Sequence, residues 1–141
     1  MARDRDRIPA MPKTIQQTVR LPASPDDLFD AYLDPARHAA ITGHPVTIAS
    51  KPGSPFQAFG GKLSGRIVAV IPKRLIVQAW RSSQWAEDDP DSILILSFSG
   101  DRAYGQIDLV HVNVADHDAQ GVTEGWEKYY WAPWRRFLGQ P

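Results

Sequence analysis

The sequence predicts an α+β domain in which a curved antiparallel sheet of about six to seven strands wraps around a long C-terminal helix. Three observations point there. Residues 46–114 are short apolar runs, several alternating, separated by turn residues, which is the texture of a strand meander. Residues 121–138 carry their apolar side chains at helical spacing and hold three of the five tryptophans. Two short helical segments lie between a first strand and the meander.

Taken in order, residues 1–12 alternate Arg with Asp and end in prolines, and they read as a disordered tail ahead of a domain at 13–139. "KTIQQTVRL" (13–21) alternates and is β-branched, so it reads as a strand. In "ASPDDLFDAYLDP", Ser24 suits an N-cap and Pro25 the first turn. Asp26 and Asp27 suit the positive end of the helix dipole. Leu28, Phe29, Tyr32 and Leu33 form its apolar face. Pro35 ends or kinks this helix, and "ARHAAITG" reads as a second short one closed by Gly43. "PVTIAS", "PFQAFGG", "LSGRIVAVIP", "RLIVQAWRSSQW", "SILILSFSG" and "QIDLVHVNV" follow as strands, joined by "PKR", "DDPD" and "DRAYG" turns. "ADHDAQG" is a polar loop.

On an ideal helical wheel centred on Trp126, the residues Val122, Tyr129, Tyr130, Pro133 and Phe137 fall within about 60°, with Trp134, Leu138 and Trp131 further out. Pro133 removes a helical hydrogen bond, so a kink is expected near 129–133. Each buried aromatic removes roughly 150–250 Å² from water, so this stripe needs a partner as large as a sheet face. Bulky rings between the two layers are expected to hold them apart around a hydrophobic cavity.

Composition excludes several functions. Sixteen Lys and Arg balance sixteen Asp and Glu, so the chain exerts no net pull on nucleic acid. No apolar run is long enough to span a bilayer, and no secretory h-region opens the chain; a cytoplasmic location is the expectation. Cysteine is absent, which removes disulfides and thiolate chemistry. There is no G-x-S-x-G elbow, P-loop or G-x-G-x-x-G. His38, His44, His111 and His117 show no metal-ligand spacing, so neither metal nor cofactor is expected.

Three stretches carry a family resemblance. "GRIVAVIPKRLIVQAWR" (65–81) has Gly65, Pro72, Trp80 and Arg81 in family positions, "LVH" (109–111) ends a strand, and "GWEKY" (125–129) opens the last helix. In this order they resemble the START-like (SRPBCC, birch-pollen-allergen-like) superfamily, and within it the C-terminal domain of the activator of the 90-kDa heat-shock chaperone ATPase. The resemblance covers about residues 14–139 and implies a helix-grip fold around a hydrophobic cavity. Members bind lipids, sterols or polyketides, cyclise polyketides, or act on a chaperone. The eukaryotic co-chaperone carries a further N-terminal domain where this chain has twelve residues, so full ATPase stimulation by the same mechanism is not expected.

The leading expectation is a non-enzymatic domain that binds an apolar small molecule between sheet and helix. The expected lining is Phe29, Tyr32, Phe59, Trp80, Trp85, Leu96, Phe98, Leu109, His111, Trp126, Glu127 and Tyr130. Core packing explains the tryptophans and Phe98 equally well. His111 is either a buried structural histidine or a polar group of the cavity. Glu127 either faces the cavity or reaches solvent and an arginine. Arg66 and Arg81 read as outward strand residues. His38 and His44 read as surface residues, and His117 as a solvated loop residue. The alternatives are a co-chaperone-like module of the stress response with a 90-kDa chaperone as partner, and a small cyclase or hydrolase pairing His111 with Glu127. The chain is expected to be a monomer or a weak homodimer, meeting through an exposed sheet face or the Trp131/Trp134 edge.

Overall fold

The computed structural model describes residues 11–140. The expected twelve-residue tail falls almost wholly outside that range. Strand β1 (Lys13–Leu21) is followed by helices α1 (Pro25–Leu33) and α2 (Pro35–Thr42). The meander comprises β2 (Val46–Thr47), β3 (Pro55–Ala58), β4 (Leu63–Ile71), β5 (Leu75–Ser82), β6 (Ser92–Gly100) and β7 (Gly105–Val114). All seven strands form one antiparallel sheet in the order β1-β7-β6-β5-β4-β3-β2, the curved sheet the sequence predicts. Short turns link neighbours from β2 onward, and β1 closes on β7 once α1 and α2 have crossed the concave face.

The local chemistry follows the capping rules. Ser24 Oγ accepts from the Asp27 amide at 3.2 Å to start α1. Asp34 ends α1 and caps α2 through the Ala36 amide at 3.0 Å. Gly43 closes α2 at φ 82°, a left-handed geometry that glycine adopts without strain. In β6, buried and half-exposed residues alternate from Ser92 to Phe98, placing Leu94, Leu96 and Phe98 on the concave face. Gly65 lies opposite Trp80, where a Cβ would come within 1.8 Å of the Ala79 carbonyl oxygen. The two backbones can pair there only because no side chain stands between them.

The C-terminal helix has three parts: α3 (Ala119–Trp126), a π-helical turn (Glu127–Trp131) and α4 (Ala132–Phe137). The expected kink therefore takes the form of a π turn, in which the Ala132 amide bonds five residues back to the Glu127 carbonyl. Pro133 is its physical reason, since it lacks an N–H and its ring crowds the carbonyl one turn earlier. One inserted residue rotates everything after it by ~100°. Phe137, expected near the centre of the apolar stripe, is exposed, whereas Trp131 and Trp134 are buried. This corrects the expectation that those two tryptophans form an exposed edge. Trp126 stacks on Trp131 at 5.5 Å, and Trp131 lies 6.3 Å from Trp134. Among the described residues no helix is long and apolar enough to cross a membrane.

Candidate functional site

Under the C-terminal helix, the concave sheet face presents two buried polar networks set in aromatic packing. The first centres on His111 of β7. Ser92 Oγ donates to the Trp80 carbonyl at 2.6 Å and accepts from His111 Nε2 at 2.8 Å. His111 Nδ1 in turn accepts from the Trp126 indole N–H at 3.2 Å. These partners select the Nε2–H tautomer and use both ring nitrogens. Trp80 and Trp126 meet the ring edge-on at 4.7 and 5.9 Å. Burial, with 0% of the residue exposed, lowers the His111 pKa to about 3.

The second network centres on His38 of α2. Its Nδ1–H donates to the Tyr32 carbonyl at 2.7 Å, and its Nε2 accepts from the Tyr130 hydroxyl at 2.9 Å. Burial lowers this imidazole to about 4, against a smaller opposing effect of the Tyr32 carbonyl. The expectation of a surface His38 is thereby corrected: 1% of it is exposed, because the C-terminal helix covers α2 and supplies a hydroxyl partner. Tyr32 donates to Gln78 Oε1 at 2.6 Å. Burial raises the phenol pKa of both Tyr32 and Tyr130. Gln78 Nε2 and Trp134 Nε1 are buried donors without a protein acceptor among the described residues.

The rings fill the space directly beneath the helix, and the free volume lies along its flank. A cleft of about 500 Å³ runs between the helix and the ends of β4 and β5. Val122, Trp126 and Tyr130 form one stripe of its helical wall, Gly121, Gly125 and Tyr129 the next. The opposite wall is Phe59, Lys62, Leu63, Trp80, Ser82 and Gln84, and Asp118 and His44 complete the lining. Phe59, at φ 54°, opens the left-handed turn Phe59–Gly61, and its ring meets Tyr129 and Tyr130 edge-on at 5.6 and 6.1 Å. Asp118 Oδ2 accepts from the Trp85 indole at 2.8 Å. A second cleft of about 560 Å³ lies between α1, α2 and the β4–β5 turn, where Lys73 bonds Asp30 beside Phe29.

Of the residues expected to line a cavity, Phe59, Trp80, Trp126 and Tyr130 border the first cleft and Phe29 the second. Tyr32, Trp85, Leu96, Phe98, Leu109 and His111 are buried in the packed interior and border neither. Glu127 is on the solvent side, bonded to Arg135 at 2.7 Å, because the arc that meets the sheet ends before it. His111 and Glu127 are therefore not brought together as an acid–base pair. Arg81 is bound by Asp91 and by the carbonyls of Ala86 and Asp89. Sequence reasoning missed Lys62, Ser82, Gln84, Asp118 and the glycine stripe. Gly125 was the one usable signal, a bare helix position that a Cβ would not crowd, whereas a Cβ at Gly121 would lie 2.9 Å from Asp118 Oδ1 and that glycine makes room for the carboxylate. Among the described residues no three His, Asp or Glu side chains converge as a metal site requires.

Comparison with known proteins places this geometry. The family profile described as Activator of Hsp90 ATPase homolog 1-like protein matches residues 22–133. The Activator of 90 kDa heat shock protein ATPase homolog of Dictyostelium discoideum is 25% identical over 117 residues, covering 82% of this chain and 30% of its own. Its human counterpart, homolog 1, is 23% identical over 133 residues, covering 94% and 38%. This chain thus spans well under half the length of these relatives. The crystal structure of an HSP90 activator from Plasmodium falciparum superposes with a TM-score of 0.81 at 22% identity, over 91% of this chain and 97% of that one. At that identity the likeness carries the fold, and the profile carries the family. The chain belongs to the Activator of Hsp90 ATPase homolog 1-like protein family.

Proposed function

We propose that this chain is a binding domain that holds an apolar small molecule in the cleft beside its C-terminal helix and performs no chemistry on it. One observation carries the reading. The helix–sheet interface is packed with rings except along Gly121 and Gly125, where about 500 Å³ stays free between aromatic walls. That volume lies within the range of small-molecule sites, roughly 300–1,000 Å³. The two histidines beneath it, His38 and His111, are held by hydrogen bonds on both nitrogens, which suits support of the walls. Native mass spectrometry of the purified chain tests the proposal. A retained apolar guest, lost in Gly125→Leu, is the expected result. No retained or titratable guest in the wild-type chain would remove it.

The second reading is a co-chaperone-like module acting on a 90-kDa heat-shock chaperone. It is favoured by the family membership and by the superposition on nearly the whole of the Plasmodium activator. Pull-down and an ATPase assay with the cognate chaperone decide it, and unchanged turnover would count against it.

A further inference from the structure

The lining of the cleft narrows the class of molecule it suits, from an apolar guest at large to one with an apolar body and a single charged group at its edge, and this step rests on the ligand-binding reading above. We infer that the cleft takes a flat aromatic ligand bearing a carboxylate or comparable anionic group, with the ring in the glycine slot and the anion at the junction of β4 and β5.

The shape argument begins with Gly125. A Cβ built there meets only Tyr129 Cδ2, at 3.6 Å, an ordinary contact. Packing therefore does not require glycine, and its backbone lies within the regular turns of α3. Glycine in a helix interior costs about 1 kcal/mol relative to alanine. What this loss secures is a bare strip of helix between Trp126 and Tyr129, faced across the gap by Phe59 and Trp80. A slot walled by rings on both sides favours a flat, polarisable guest that stacks or meets them edge-on.

The charge argument rests on donors without acceptors. Leu63 pairs with Ser82 across the strands, and the Ser83 amide donates to the Lys62 carbonyl at 2.8 Å, so Lys62, Ser82 and Gln84 share one corner of the cleft. The Lys62 ammonium has no carboxylate partner among the described residues. Ser82 Oγ accepts from the Gln84 amide at 3.2 Å, which leaves its own proton to give, and the Gln84 side-chain amide makes no protein hydrogen bond among the described residues. Three residues that carry donors, one of them cationic, therefore line the same end of the cleft, where Lys62 and Gln84 are exposed and Ser82 is half-buried. The one carboxylate of the lining, Asp118, belongs to the start of α3 and already accepts from Trp85. An anion at Lys62 gains charge-assisted hydrogen bonds and avoids Asp118.

Isothermal titration of the full chain with 2-naphthoate, its neutral methyl ester and cationic 2-naphthylmethylamine tests this. The expected order is naphthoate first, by about tenfold over the ester, the size of one or two charge-assisted hydrogen bonds, with the amine weakest. Lys62→Met keeps the stem and removes the charge; it should erase the preference for naphthoate while leaving the ester unchanged. Indole N–H signals of Trp85 and Trp126 should shift on binding in the wild-type chain, which locates the probe without any variant. Equal affinity for naphthoate and ester, or a preference that survives Lys62→Met, overturns the inference while the cleft reading stands. Failure of all three probes to bind or to shift those signals also overturns the inference, and the cleft reading is then decided by whether the purified chain retains an apolar guest in native mass spectrometry.

Discussion

The two buried imidazoles make acid the most informative perturbation of this fold. His38 and His111 are held at about 4 and about 3, against about 6.5 for an unhindered histidine. Both folded-state values are depressed, so between pH 6.5 and 4 the unfolded chain takes up protons that the folded chain refuses. Their contribution to stability is complete above pH 6.5 and is lost as pH falls towards the folded values. Each histidine contributes a slope of about 1.4 kcal/mol per pH unit, and the two together about 2.7. From pH 6.5, where an unfolded histidine is already half protonated, to pH 5 the loss is on the order of 3 kcal/mol, a large part of the stability of a marginal domain. Asp34, Asp89 and Asp101, whose pKa values are also lowered by hydrogen bonds, act in the same direction but only around and below their ordinary range near 3.9. The window from pH 6 to 4.5 therefore reports on the histidines. Urea unfolding followed by tryptophan fluorescence at half-unit pH intervals measures the slope. His111→Leu, which leaves the Trp126 indole N–H without its acceptor and lowers stability at every pH, should still halve it. A slope near zero across this window, or one unchanged in His111→Leu, would refute the claim that these imidazoles are buried neutral.

Three further outcomes are expected. Tyr32→Phe leaves the Gln78 side chain with neither of its polar atoms satisfied and should cost about 1–3 kcal/mol; in a double-mutant cycle by chemical denaturation, Gln78→Met should recover most of that loss. Gly105→Ala puts a Cβ 2.5 Å from Leu28 Cδ1 and 2.7 Å from the Ala23 carbonyl, so α1 must lift from β7, at roughly 1–3 kcal/mol by thermal melting. Pro133→Ala restores the missing N–H and lets the π turn relax to α-helix. Trp131 should then lose its 2.7 Å bond to Gln17 Oε1, seen as a shifted and faster-exchanging indole N–H.

How much of this was legible in the sequence depended on the range of the interactions involved. The strands were legible because a two-residue alternation, as in "SILILSF", is a local consequence of having one buried face. The α1 cap was legible for the same reason: Ser24 and Asp27 are three residues apart. His38 was not, because "ARHAAIT" is a weakly apolar stretch on its own and the hydroxyl that buries the imidazole comes from Tyr130, 92 positions later. The cleft is assembled from α3, the π turn, the β3–β4 turn and the ends of β4 and β5. No window of sequence contains that arrangement.

The C-terminal helix lies between these cases, and it explains why a solid core and an open cleft coexist under one element. A uniform wheel of about 100° per residue is right as far as Trp126 and Tyr130 and wrong beyond them. Pro133 announced an irregularity without stating its form. A plain kink would have kept Phe137 on the buried face and Trp131 on its flank. The π turn re-indexes the helix instead, so that residues five apart stack, as Trp126 and Trp131 do with their planes at 22°. Before the turn the helix spaces its small residues, Gly121 and Gly125, towards β4 and β5, and volume stays open. After it, the rotation drives Trp131 and Trp134 into the core, where Trp131 bonds Gln17 of β1 and α4 packs on α2. The anchored half can hold the walls of the open half in register because ring contacts run from Trp134 through Trp131 and Trp126, which stack, to Tyr130, which is tilted on Trp126. The cleft proposed to bind a guest and the acid-sensitive core therefore share a structural element: Trp126 forms a cleft wall on one side and donates to His111 on the other.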